Sequence, residues 1–209
     1  MVLAIQDPDG KAPIGEELSP YLPHVKFIFP NAPAIPVTAN GGMLTPAWYD
    51  IASIARIKTV QDEVGMFRSR DLVTKVIREE VEENKIPANR IVLGGFSQGC
   101  ALTLLTALTT EYSLAGIVAL SGYLPLHEKI MTLATDANRK TPIFWGHGTF
   151  DTVVKFDYGE ESAEYLRENK YNVDFHTYPR MGHSACPEEL GDMLRFFQKT
   201  LPEESSAKL

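Results

Sequence analysis

The segment Gly95-Phe96-Ser97-Gln98-Gly99 combines residue types and a spacing that can activate a serine. It follows the Gly-x-Ser-x-Gly pattern, in which the serine occupies a strained turn between a strand and a helix. Small residues two positions before and after the serine let the strand and helix approach each other. The N-terminus of the following helix places the positive end of the helix dipole at the site. The Gln98 N–H is predicted to face a developing oxyanion. The alternative, an ordinary serine in a glycine-rich turn, fits the strand-to-helix context less well.

A serine hydroxyl is a weak nucleophile, so it needs a base and a carboxylate that orients the base. With this pattern, the chain order is serine, then acid, then histidine. Asp151 comes soon after an apolar segment at residues 142–145, and His183 lies between the last strand pattern and the last helix pattern. Loops at the carboxyl ends of parallel strands are where such sheets bind ligands. The sequence therefore predicts a catalytic triad of Ser97, Asp151 and His183.

The competing acid and bases fit this order or position less well. Asp157 lies further from the end of its strand than Asp151 does. Of the five histidines, three precede the predicted acid and one lies inside a strand pattern; these are His24, His127, His147 and His176. A single aspartate or histidine is more often structural, so the prediction depends on three residues that agree in order and in position.

The elements that must position these residues alternate between strand and helix patterns. Strands are predicted at residues 25–29, 91–94, 115–120, 142–145 and 173–178, and helices at 62–84, 98–108, 160–170 and 187–201. This alternation predicts an α/β fold, with parallel strands and helices on both faces of the sheet. We predict one domain over residues 1–209, with a frayed tail at 203–209. Residues 31–48 have no period and are interpreted as a functional or mobile loop.

Composition limits the classes of function and the cellular location. A net charge of −7 argues against a nucleic-acid surface. Two cysteines cannot form a disulfide framework, and no apolar run approaches the roughly 20 residues of a membrane span. The opening residues 1–5 are too short for a signal peptide, so a cytoplasmic location is predicted. No metal or phosphate-loop signature is present, and no cofactor is expected. The acidic residues 79–83 are predicted to be a solvated helix face.

Further motifs occur along the chain around the predicted triad. They are Pro30-Asn31-Ala32-Pro33, Pro36-Val37-Thr38, Trp48-Tyr49-Asp50-Ile51, Ile86-Pro87-Ala88-Asn89-Arg90-Ile91, Gly94-Gly95-Phe96-Ser97-Gln98-Gly99, His147-Gly148 with Asp151, and Gly182-His183-Ser184. In these motifs and in their order, residues 16–201 resemble acyl-protein thioesterases of the phospholipase/carboxylesterase family.

The resemblance implies an α/β-hydrolase fold, with a mostly parallel central sheet flanked by helices on both faces. It also implies hydrolysis of palmitoyl and similar thioesters on protein cysteines, with lysophospholipids or simple esters as side substrates. The same resemblance assigns Ser97, Asp151 and His183 as the triad, and it adds the nucleus to the cytoplasm as a location. Met43, Leu44 and Trp48 match the region that helps to form the acyl-chain channel. An equally good interpretation of any one of them is a loop residue packed on the core. Transient contact with a membrane surface would give access to the acyl chain.

The chain departs from the family at its start. Family members begin with a strand ending in His-Gly-Leu-Gly-Asp, whose backbone supplies the second oxyanion donor, and residues 1–15 lack this motif. At least one central strand and one oxyanion donor are therefore expected to be absent or replaced. This leaves two alternatives open. One is a short-chain carboxylesterase, which would prefer acetyl to long-chain esters. The other is a non-catalytic lipid-binding or interaction protein, which would bind fatty acid without turnover.

Overall fold

A computed structural model describes residues 1–5 and 17–203 of this chain. The strands of this part are β1 (Val2–Ile5), β2 (Phe27–Ile28), β3 (Ala34–Val37), β4 (Met43–Pro46), β5 (Val92–Phe96), β6 (Gly116–Leu120), β7 (Pro142–Gly148) and β8 (Asn172–Tyr178). Its α-helices are α1 (Glu63–Glu82), α2 (Gln98–Thr109), α3 (Ile130–Leu133), α4 (Phe156–Glu168) and α5 (Pro187–Thr200), joined by several short 3₁₀ turns. The predicted tail lies outside the described residues from position 204 onward.

Six of these strands form one sheet in the order β2-β1-β5-β6-β7-β8, and every neighbouring pair is parallel. Strands β5 and β6 are buried along their whole length because the sheet is covered on both faces. Helices α1, α2 and α4 pack on one face, and α5 packs on the other. The predicted α/β fold, with a mostly parallel sheet between helices, is confirmed.

The helix predictions are confirmed with small changes in bounds. Helix α1 begins after Asp62, whose side chain accepts a hydrogen bond from the Gly65 N–H and caps the first turn. The prediction that residues 79–83 form a uniformly solvated face is wrong at Glu80. Its carboxylate is buried and accepts hydrogen bonds from Lys26 Nζ at 2.7 and 2.8 Å. The helix therefore turns one acidic residue inward, and the ammonium group of Lys26, the residue before β2, compensates its charge.

The expected loss of a central strand is wrong. Residues Val2–Ile5 form β1, which is fully buried between β2 and β5. Its alternating side chains contribute to both cores, with Leu3 and Ile5 on one face and Val2 and Ala4 on the other. The missing motif therefore concerns the residues that follow the strand. Residues 6–16, where that motif would lie, are outside the described part of the chain.

The interpretation of residues 31–48 as a loop without regular structure is also wrong. Strands β3 and β4 pair in antiparallel register, from Ala34 opposite Pro46 to Val37 opposite Met43. The turn between them contains Gly41 and Gly42, whose φ angles are 68° and 78°. Residues with a Cβ rarely adopt this backbone conformation. Among the helices of residues 1–5 and 17–203, none combines the length and apolar character needed to cross a bilayer.

Candidate active site

Ser97 occupies a strained turn between β5 and α2. Its φ of 55° and ψ of −118° lie in a sparsely populated backbone region, as strained residues at functional sites often do. A Cβ on Gly95 would overlap the Gly99 carbonyl, and a Cβ on Gly99 would overlap the carbonyl oxygen of Ile5. Both glycines of the motif are therefore required by close backbone approach, and β1 supplies the surface against which the second one packs.

The loop after β7 brings the Asp151 carboxylate to this turn, and the loop after β8 brings the His183 imidazole. His183 Nε2 lies 2.9 Å from Ser97 Oγ, and His183 Nδ1 lies 2.7 Å from Asp151 Oδ2. A carboxylate only accepts, so Nδ1 is the donor to Asp151 and Nε2 is left to accept from the serine hydroxyl. The three residues predicted from chain order are thus joined by two hydrogen bonds, in the geometry that allows general-base activation of a hydroxyl.

Backbone groups hold the Asp151 carboxylate in its orientation. Its Oδ1 accepts hydrogen bonds from the Val153 and Val154 N–H groups, both at 2.9 Å, and its side chain is fully buried. Burial alone acts to raise the pKa of Asp151. The hydrogen bonds from His147, His183 and the Val153 N–H outweigh it and hold that pKa well below its ordinary range. The acid is therefore a carboxylate when it meets His183.

The loop after β7, which carries Asp151 and is here called the acid loop, is hydrogen-bonded to the loop after β8, which carries His183. The Phe150 N–H donates to the Met181 carbonyl at 2.9 Å, and the Thr149 N–H donates to the Tyr178 carbonyl at 3.1 Å. A Cβ on Gly148 would overlap the Met181 carbonyl, so glycine there permits the two loops to meet. Asp151 and His183 are consequently fixed relative to one another as well as to the sheet.

Gln98 contributes to the site through both its backbone and its side chain. As the first residue of α2, it presents its backbone N–H before the first intrahelical hydrogen bond, where a donor can face an oxyanion. The buried side chain turns away: Oε1 accepts from the Trp48 N–H and Nε2 donates to the Tyr49 carbonyl, both at 2.8 Å. The amide therefore ties the serine turn to the segment that follows β4.

We expect Gln98→Met to lower the free energy of unfolding by about 2–4 kcal/mol, because it removes two buried hydrogen bonds while keeping side-chain volume. Urea denaturation would measure this loss. The matched control is Gln198→Met, at an exposed position of α5, where a change below about 0.5 kcal/mol is expected. Equal stability of the two variants would contradict the role of the Gln98 amide as a clamp.

The three residues predicted to line an acyl channel have different environments. Met43 and Leu44 are 66% and 73% exposed on β4 of the hairpin. Trp48 is 2% exposed and packs within the core, and its carbonyl accepts a hydrogen bond from Ser69 Oγ. The structure thus places two of the three side chains where a ligand could reach them. The competing acid, Asp157, lies exposed in the first turn of α4.

Chain order excludes His147 as the base because it precedes the acid, yet the structure places it beside the acid. Its imidazole is fully buried, and Nε2 lies 3.4 Å from Asp151 Oδ2. The available signal was the His147-Gly148 pair that opens the acid loop. Within residues 1–5 and 17–203, no group of three or more metal-ligating side chains is arranged to hold a metal ion.

A family profile described as phospholipase/carboxylesterase matches residues 15–201. Acyl-protein thioesterase 1 of Mycosarcoma maydis is 44% identical over 208 residues, covering 93% of this chain and 87% of the relative. The Neurospora crassa protein of the same name is 46% identical over 188 residues, covering 87% of this chain and 76% of the relative.

Solved structures show the same likeness. SOBER1 of Arabidopsis thaliana superposes with a TM-score of 0.84 at 30% identity, covering 96% of this chain and 98% of that one. Acyl-protein thioesterase 2 of Zea mays superposes with a TM-score of 0.76 at 26% identity, with coverage of 96% and 93%.

Proposed function

Because this chain belongs to the phospholipase/carboxylesterase family of α/β-hydrolases, we propose that it is a serine hydrolase that cleaves palmitoyl and similar long-chain thioesters from protein cysteines. The observation that carries the proposal is the continuous hydrogen-bonded chain Ser97–His183–Asp151 on a strained strand-to-helix turn. The relatives named acyl-protein thioesterase 1 support the choice of thioester substrates.

In the first step, Ser97 Oγ attacks the thioester carbonyl carbon while His183 Nε2 accepts the hydroxyl proton. The Asp151 carboxylate stabilises the imidazolium that forms, because it already accepts the Nδ1–H hydrogen bond. Negative charge develops on the carbonyl oxygen, and the Gln98 N–H stabilises it. The carbon–sulfur bond then breaks, the cysteine sulfur takes the proton from Nε2, and the acyl group remains on Ser97.

In the second step, water attacks the acyl-serine. His183 Nε2 accepts a proton from the water and returns it to Ser97 Oγ when the fatty acid leaves. Both steps use the same base in the same tautomer, so no metal or organic cofactor is needed. In the family, the other oxyanion donor comes from the backbone after β1, and in this chain those residues lie outside the described part.

The substrate must offer a long apolar chain next to a carbonyl. Met43 and Leu44 form an exposed apolar pair on the hairpin, and the hairpin is tied to the serine turn through Gln98 and the Trp48–Tyr49 backbone. This arrangement supports a substrate that carries an acyl chain, and we propose acylated proteins as the main substrates, as the relatives suggest, and lysophospholipids as side substrates. It also supports transient contact with a membrane surface, and we propose action in the cytoplasm and nucleus.

Labelling with a fluorophosphonate probe tests the proposal at its first step. Wild-type protein is expected to label, Ser97→Ala is expected not to label, and Ser113→Ala, an exposed serine before β6, is expected to label like wild type. Wild-type protein that has not been exposed to the probe would then be assayed on palmitoyl and acetyl thioester peptides, with the palmitoyl peptide expected to give the higher kcat/KM. Preference for acetyl would instead identify a short-chain esterase. Fatty-acid binding without labelling would identify a lipid-binding protein.

A further inference from the structure

His147 is the next-to-last residue of β7, and its imidazole is buried against the turn that carries the acid. Nε2 lies 2.9 Å from the Val154 carbonyl oxygen and 3.4 Å from Asp151 Oδ2. The Val154 carbonyl oxygen only accepts, so Nε2 carries the hydrogen and donates to it, with Asp151 Oδ2 also within ion-pair distance. Among the described residues, Nδ1 has no hydrogen-bond partner. The single donor of this ring is therefore aimed at the acid turn.

The turn from Asp151 to Val154 is consequently held from two sides. Its N–H groups at residues 153 and 154 donate to Asp151 Oδ1, and its last carbonyl accepts from His147. The second carboxylate oxygen, Oδ2, lies between two imidazoles, at 2.7 Å from His183 Nδ1 and 3.4 Å from His147 Nε2. A rotation of the carboxylate that weakened the His183 contact would also disturb the contact with His147.

Helix α4 is shaped around this ring. A Cβ on Gly159 would overlap His147 Nδ1, so only glycine leaves room for the imidazole at this place on the helix. The Phe156 ring meets the imidazole edge-on, with centroids 5.8 Å apart. The imidazole is thus fixed by packing, and its donor has little freedom to turn away from the acid.

We propose that His147 is a positioning residue, which orients the Asp151 carboxylate toward His183 by donating a hydrogen bond from Nε2 to the acid turn. The inference rests on the proposed function, because it assigns His147 a role in the same triad. His147 itself does not reach Ser97 or the substrate; it acts through Asp151. Its removal should therefore slow the chemical step and leave substrate binding nearly unchanged.

The first test compares His147→Phe, which keeps a ring but removes the donor, with His147→Gln, whose amide nitrogen can reach the Nε2 position. His147→Phe is expected to lower kcat and the fluorophosphonate labelling rate about 10–10²-fold, with KM within about 2-fold of wild type. His147→Gln is expected to recover most of the rate. His127→Phe, on a histidine that packs against Tyr165 outside the site, is the control and should retain it.

A His147→Phe protein that labels at the wild-type rate would overturn the inference. So would a His147→Gln protein that is as slow as His147→Phe, because the donor would then be irrelevant. If wild-type protein itself does not label Ser97, the proposed function fails, and this inference fails with it. If wild-type protein and His147→Phe both label, and at the same rate, the positioning role is rejected while the proposed function stands.

Gly159→Ala provides an independent test that leaves every polar group in place. Alanine in the interior of a helix is normally more favourable than glycine, but here its Cβ would push the imidazole away from the acid turn. We expect a loss of kcat of about 10-fold or more. Gly191→Ala in α5 is the control, because its Cβ meets only ordinary contact with the Arg195 side chain. Full kcat in Gly159→Ala would contradict the inference.

Discussion

Asp151→Asn is expected to lower kcat for thioester hydrolysis by about 10⁴-fold in a protein that remains folded. The reason is the pair of backbone N–H groups, from Val153 and Val154, that donate to Asp151 Oδ1. An asparagine at this position would keep its carbonyl oxygen toward those donors. Its amide NH₂ would then occupy the Oδ2 position and face His183 Nδ1.

That orientation reverses the tautomer of the base. His183 Nδ1 would have to accept from the amide, so the hydrogen would move to Nε2, which lies 2.9 Å from Ser97 Oγ. A protonated Nε2 cannot accept the hydroxyl proton, and the serine loses its activation. Steady-state kinetics and probe labelling would measure the effect, and Asp157→Asn, at an exposed position in the first turn of α4, is the matched control. Activity of Asp151→Asn within 10-fold of wild type, or an equal loss in Asp157→Asn, would contradict Asp151 as the acid.

Glu189→Gln is expected to raise the free energy of unfolding at pH 8 by up to about 5 kcal/mol relative to wild type. Glu189 lies in α5 with no exposed surface, and neither carboxyl oxygen has a hydrogen-bond partner among the described residues. Burial raises its pKa from the ordinary value of 4.5 to about 8, and the nearby charge of Asp192 adds to the shift. The side chain is therefore protonated in the folded protein at neutral pH.

The sign of the pH dependence follows from that raised pKa. Between about pH 4.5 and pH 8 the unfolded chain releases the Glu189 proton while the folded protein keeps it. The contribution of Glu189 to stability therefore falls by about 1.4 kcal/mol for each pH unit in this window and levels off above it. The Met1 amine acts in the opposite direction between about pH 6 and pH 8, because burial lowers its pKa from 8.0 to about 6, so the comparison with Glu189→Gln is what isolates the carboxyl. Asp151 does not interfere, because its lowered pKa affects stability only below the ordinary carboxyl range.

Urea denaturation at pH 5 and pH 8 would measure the dependence. Wild-type protein should lose stability between the two values, whereas Glu189→Gln, which has no proton to release, should lose much less. Glu188→Gln, the exposed neighbouring residue, should follow wild type. Parallel curves for wild type and Glu189→Gln would show that the buried carboxyl is not what makes stability depend on pH.

The fold was predictable where its signals are local, and less so where they depend on distant partners. Helix α1 has an apolar face and a capping aspartate, and the serine motif identifies the junction of β5 and α2; both can be found from a few neighbouring residues. Strand β1 has only four residues, and pairing with β2 and β5 is what makes it a strand. The hairpin did carry a local signal, the Gly41-Gly42 turn.

The sequence could predict which three side chains come together at the site, but not the hydrogen-bond network around them. Chain order and strand ends identified Ser97, Asp151 and His183, which the structure brings into hydrogen-bond contact. His147 was missed because its contact with Asp151 depends on the turn between them, which chain order does not describe. Leu44 and Trp48 look alike as apolar residues of one segment, yet one is exposed and the other buried. Only packing against α1 and α2 separates them.

The contact between Gly99 and the Ile5 carbonyl has a consequence for how the protein acquires activity. Where β1 meets β5, neighbouring groups such as the Met1 amine and the Arg90 carbonyl come from positions 89 residues apart. Closing so long a loop is slow compared with forming the local contacts of α2. The serine turn can reach its final shape only after β1 has docked. During refolding, reaction with a serine-directed probe should therefore lag behind the recovery of helical signal, and would report when the sheet is complete.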